Sequence, residues 1–203
     1  MRHVTRYGSF ALIGFTAALA ACSSGEKAAD TTAAAATATP DSAAAAAATA
    51  PVGLSAANIA SVITLTNEGE IEQGKKAEDK ATDAEVKAFA KQMISDHEMM
   101  QKGLDSLAKA KNLMPAPPAQ ADAMKAEESA TMAKLDSAAK GAAFDKAYIA
   151  AQVMGHQKAL DNLKTFSGGA PDPDLKTMID GAIPKVQAHL DKAQQLQAKV
   201  GTP

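Results

Sequence analysis

One cysteine, no tryptophan, two tyrosines and five phenylalanines stand in 203 residues. A single thiol excludes an internal disulfide framework and any CxxC pair for metal or redox work. With aromatics at 3%, the residues that favour strands give way to Ala, Leu, Met, Lys, Glu and Gln, which favour helices. Neither a β-sandwich nor a Rossmann sheet is expected. Strong charge of one sign is missing too. The formal charge is −2 and no basic stripe is present, so nucleic acid is not an expected partner. There is no glycine-rich phosphate loop and no serine in a strand-to-helix elbow. No catalytic residues can be assigned, and the balance leans away from an enzyme.

What is present begins with an address. Arg2 and Arg6 precede the short apolar run Ser9 to Leu19, the pattern of an export signal. That run is too short for a spanning helix of about 20 residues. It ends in Leu19-Ala20-Ala21-Cys22, a bacterial lipobox in which the Cys22 sulfur would carry the lipid. The expectation is a lipoprotein signal peptide over 1–21, then a lipidated Cys22 and a flexible Ala/Thr/Pro linker over 22–53. The globular part should occupy 54–203. Ser23, in place of an Asp, favours the outer membrane, with the domain facing the periplasm. The expected partner is therefore the membrane itself, through the anchor at Cys22; a protein partner is not legible.

From Ser55 onward the apolar period turns helical. Helices are expected over about 55–81, 83–112, 120–139, 142–167 and from Pro173 to about Val200. The first carries Ile59, Ile63, Thr66, Glu70, Gly74 and Ala77 on one stripe. Thr82-Asp83-Ala84-Glu85 has the form of a capping box. Pro115, Pro117 and Pro118 break the chain, Gly141 interrupts it again, and Gly168-Gly169 with Pro171 should make the last turn. Asp172 followed by Pro173 suits an N-cap and first helical position. Pro184 should kink the final helix by removing one backbone donor. Four long amphipathic helices give an all-α, antiparallel four-helix bundle. The shorter one serves as a crossover that returns the chain to its starting end.

Beyond the export signal the histidines are His97, His156 and His189, and each falls on the core stripe of a different helix. At about 1.5 Å per residue, Glu70, His97, His156 and His189 all lie roughly 18 to 22 Å below the end where the first two helices meet. Imidazole and carboxylate cost free energy to bury unless paired or ligating. Three histidines and a glutamate in one layer match a site for a single transition metal ion, zinc, copper or iron. The alternative is a non-catalytic structural or interaction module whose buried polar layer holds no metal. Met93 and Met100 flank His97 by one turn, where thioethers could ligate copper(I), though core filler is the favoured reading. A carboxylate-bridged di-iron centre is disfavoured, because the residues three before the histidines are Ile94, Val153 and Val186 rather than Glu. Gln152 stands one turn before His156 and could orient its ring. Asp96 and Glu98 suit a supporting or solvated role, Asp145 a first-turn charge, and Tyr148 packing.

Glu70-Ile71-Glu72 with Ala77, Phe89-Ala90 with Met93 and Asp96-His97, Phe144-Asp145 with Tyr148 and His156-Gln157, then Pro184 with His189-Leu190, resemble the domain-of-unknown-function 4142 family. Its members are exported bacterial proteins, often labelled as outer membrane proteins. The resemblance spans about residues 54–197. It implies a ferritin-like helical bundle and no particular reaction.

Overall fold

The computed structural model describes residues 54–201. The expected signal peptide, Cys22 and the expected linker lie outside the described residues. Five helices follow one another: α1 (Ala56–Lys80), α2 (Ala84–Lys111), α3 (Ala121–Ser137), α4 (Ala142–Gly169) and α5 (Pro173–Val200). Among the described residues there is no strand, and no helix is long and apolar enough to cross a membrane.

Local chemistry sets the helix ends. Ser55 caps α1 in a reciprocal capping box with Asn58. Asp172 caps α5, with Pro173 in its first turn, as the sequence leads one to expect. Three local expectations change. Asp83, not Thr82, is the N-cap of α2, accepting from the Glu85 and Val86 amides. Thr82 is drawn away by Asp145, whose carboxylate accepts from Thr82 N, Thr82 Oγ1 and Asp83 N, each at 3.0 Å. Asp145 is therefore a buried tie that pins the start of α4 to the α1–α2 turn, besides lying in the first turn of its own helix. Gly168 and Gly169 belong to the last turn of α4, so the connection to α5 is only Ala170 to Asp172.

α1 packs on α2 and α4 on α5, while α1 also meets α4 and α2 meets α5. That order closes a four-membered bundle. α3 is the crossover. Near its start, Asn58 and Ser61 of α1 bond to the backbone of Ala116. At its far end Lys80 Nζ donates to the carbonyls of Leu135 and Asp136, and Gly141 N bonds to Lys80 O. α4 thus begins beside the α1–α2 turn. At the same end α5 finishes, with Lys199 paired to Glu85.

Two apolar clusters fill the bundle. One holds Val86, Phe89, Met93, Phe144, Tyr148, Ile149 and Leu196 near the α1–α2 turn. The other holds Ile59, Val62, Leu104, Leu160, Ile179, Val186 and Leu190 toward the opposite end. A polar layer separates them. It is made of Asn67, Glu70, Gln73, His97, Gln152, His156 and His189, each at most 5% exposed.

Candidate metal centre

Burying so much polar surface is costly unless each group finds a partner. Most of the layer's polar atoms find one; the buried exceptions are one nitrogen of each histidine and Gln152 Oε1. His97 on α2, His156 on α4 and His189 on α5 bring their rings together, with centroids 5.7, 5.7 and 5.4 Å apart pairwise. One ring nitrogen from each can be taken so that all three lie within 4.8 Å of one another.

The other nitrogen of each ring is held by an oxygen. His156 Nδ1 lies 3.0 Å from the Gln152 carbonyl, one turn back on α4. A carbonyl only accepts, so this nitrogen carries the proton. His189 Nε2 lies 2.9 Å from Asp96 Oδ2, again an acceptor. His97 Nδ1 lies 2.9 Å from Asn67 Oδ1. A chain of bonds fixes that amide's orientation: Gln101 donates Nε2 to the Asp105 carboxylate at 2.7 Å, and its Oε1 accepts from Asn67 Nδ2 at 3.1 Å. Asn67 Oδ1 is left to accept from His97.

Each ring therefore donates from its outer nitrogen and keeps a lone pair on the other. The nitrogens left over are His97 Nε2, His156 Nε2 and His189 Nδ1. All three are buried and without a protein partner. Oxygen-held outer nitrogens are the arrangement that orients metal-binding histidines and fixes their tautomers. A metal about 2.0 Å from each nitrogen needs the nitrogens roughly 3.5 Å apart, so side-chain shifts of about an ångström would close the set. The rings also stay neutral. Burial holds His97 well below its usual range, aided by the neighbouring His156 and His189. Burial likewise takes His156 down to about 4 and lowers His189.

Glu70, expected as a fourth ligand, reaches the layer but stands outside this nitrogen set. Its Oε1 is 3.7 Å from His156 Nδ1, the edge of the ring already engaged with Gln152. Its Oε2 accepts from Gln152 Nε2 at 2.7 Å. Burial pushes its carboxyl up to about 7, against the opposing hydrogen bond from Gln152. A cleft of about 310 Å³ between α1, α3 and α4 includes Glu70 in its lining. Glu70 thus sits between the triad and the cleft. Gly155 leaves the space it occupies, since a Cβ there would fall 3.0 Å from Glu70 Oε1.

Gln152 does not orient His156 through its amide, which instead donates to Glu70 and to Gln73 Oε1 at 3.1 Å. Its backbone carbonyl does the orienting. Met93 is buried in the apolar cluster with Phe89 and Tyr148. Asn67 and Gln101 were not singled out in the sequence. The available signals were an asparagine three residues before Glu70 and a glutamine one turn after His97.

A family model described as a domain of unknown function, DUF4142, matches residues 28–196. Among curated proteins, none matches the chain. Two solved structures share the fold. A DUF305 protein from Streptomyces coelicolor is 15% identical with a TM-score of 0.63, covering 73% of this chain and 95% of that one. CopM in its Cu(II)-bound form is 18% identical with a TM-score of 0.59, covering 72% of this chain and 97% of that one.

Proposed function

The chain belongs to the DUF4142 family, and we propose that its bundle holds a single transition metal ion, zinc, copper or iron, through His97 Nε2, His156 Nε2 and His189 Nδ1. The observation that carries this reading is the set of three buried lone pairs within one layer. A buried acceptor left unpaired costs about 1 to 3 kcal/mol. One cation shared between the rings would satisfy all three at once. The outer nitrogens, each held by an oxygen from Asn67, Gln152 or Asp96, supply the orientation such a site requires. CopM, of the same fold, has Cu(II) bound.

The role is binding rather than turnover, set in the cell envelope. Leu19 to Cys22 supports lipidation at Cys22, and Ser23 supports the outer membrane as destination. Residues 23–53 would serve as a tether that lets the domain face the periplasm.

Elemental analysis of the full chain, purified from envelopes without chelators, tests the binding. About one metal ion per chain, absent from His97→Ala and His189→Ala, is expected. If no metal co-purifies and none raises the melting temperature, the layer is a structural polar core of an interaction module. Mass spectrometry of the N-terminal peptide tests the anchor: a diacylated Cys22 is expected, and a free thiol there contradicts it.

A further inference from the structure

We infer that the histidine triad is built for a monovalent soft cation, copper(I), in preference to any divalent ion. This rests on the triad being a metal site and goes on to name the ion's charge.

Coordination number is the first argument. Among the described residues no fourth His, Cys, Asp or Glu joins the three rings. The rings are only 1 to 2% exposed, so solvent has no opening to the unpartnered nitrogens. Zinc takes four ligands, or three with water in an open fourth position. Copper(II) takes a tetragonal set. A closed pocket offering three nitrogens meets neither demand. Copper(I), a d10 ion without a preferred tetragonal field, is satisfied by three donors in a trigonal arrangement. A 40 Å³ cavity does touch His97, but neither of the other rings; Thr66, Asn67 and Asn162 are among its walls beside Val62, Leu163 and Phe166, and most of its exposed lining is apolar. A fourth-ligand water would find few partners on the apolar side.

Charge is the second. All three donors are neutral imidazoles, their outer protons fixed by Asn67, Gln152 and Asp96. Among the described residues Asp96 is the carboxylate bonded directly to a ring, that of His189, while Glu70, 3.7 Å from His156 Nδ1, is bonded to Gln152. The Born cost of burying an ion rises with the square of its charge, about fourfold for a dication, so a monovalent ion is the less costly occupant. Glu70 lies on the edge of His156 turned toward Gln152. To ligate, it would have to displace that ring from its hydrogen bond.

The test is a competition on the metal-free full chain under anaerobic conditions. Copper(I) is titrated against a copper(I)-specific chromophoric chelator, zinc(II) against a zinc chelator, and copper(II), in a separate aliquot without reductant, against a copper(II) chelator. Silver(I) serves as a redox-silent monovalent control. One copper(I) or silver(I) per chain is expected, with zinc(II) weaker by roughly a hundredfold or more. Zinc(II) or copper(II) bound as tightly as copper(I) overturns the assignment of charge while leaving the metal site standing. No binding by any of these ions removes both. The comparison is made on the wild-type chain, so it does not depend on a variant folding.

Discussion

Asp96 on α2 accepts a hydrogen bond from His189 Nε2 on α5 at 2.9 Å, although the two residues are 93 positions apart in the chain. The contact joins two adjacent helices of the bundle and decides which nitrogen of His189 is left free. With Nε2 committed to the carboxylate, Nδ1 becomes the third member of the buried nitrogen set. His97 and His156 are held the other way round, through Nδ1.

Removing that orienting group should weaken metal binding without unfolding the bundle, because Asp96 is partly exposed. For Asp96→Ala we expect affinity to fall about 10- to 100-fold. Asp96→Asn, which keeps an acceptor oxygen, should lose less. Metal competition with circular dichroism on the same samples checks this. Unchanged affinity in Asp96→Ala would mean that His189 is not a ligand.

Acid should destabilise the metal-free protein. Burial holds His156 at about 4, down from 6.5, and lowers His97 and His189 as well. These rings protonate more readily when unfolded. Their contribution is intact above about pH 6.5 and is lost as pH falls toward about 4, at about 3 kcal/mol for a shift the size of that at His156. Glu70 opposes them. With its carboxyl raised to about 7, it protonates more readily when folded, so it adds stability as pH falls from there toward its ordinary range. Three rings outweigh one carboxyl. The melting temperature should be lower at about pH 5 than at about pH 7.5, and the drop should be steeper in Glu70→Gln. A flat profile in both proteins would contradict the burial of neutral rings.

Asp145 ties the α1–α2 turn to α4 through its bonds to Thr82 and Asp83. Asp145→Ala removes three part-buried hydrogen bonds to a charged acceptor, which should cost about 2 to 4 kcal/mol. The expected fall in melting temperature is roughly 5 to 15 °C. Thermal unfolding followed by circular dichroism measures it, and metal affinity at low temperature should hardly change.

Two glycines should respond in opposite directions. Alanine gains about 1 kcal/mol over glycine inside a helix. At Gly181, exposed and with nothing within 4 Å of an added Cβ, Gly181→Ala should be stabilising. At Gly74 the same Cβ would lie 2.7 Å from Ile94 Cγ1 and 3.2 Å from the Ala90 carbonyl. The close approach of α1 to α2 then has to relax, at about 1 to 3 kcal/mol. Gly74→Ala should therefore be net destabilising in chemical denaturation. Equal effects at both sites would count against that close packing.

The helices and the common height of the histidines were legible because both follow from the chain's own period. Apolar spacing marks the core face, and a fixed rise per residue turns sequence distance into depth. What depends on neighbouring helices was not legible. On α1 the buried face includes Val62, Asn67 and Gln73 where the apolar pattern favoured Ile63 and Thr66. Asn67 and Gln73 are polar residues that gain partners only on α2, α3 and α4. Glu70 reached the expected depth, but depth does not say which edge of His156 it faces. The partner of His156 Nδ1 is a main-chain carbonyl, which leaves no mark in residue types. Thr82 fits a capping box by spacing, yet Asp145, 63 residues away, claims its hydroxyl.

X-ray absorption on the metal-loaded chain tests the triad most directly. The account predicts about three nitrogen scatterers near 2.0 Å, with the outer-shell pattern of imidazole rings, and loss of that spectrum in His156→Ala. A first shell of oxygens, unchanged in His156→Ala, would place the ion on surface carboxylates and contradict the account.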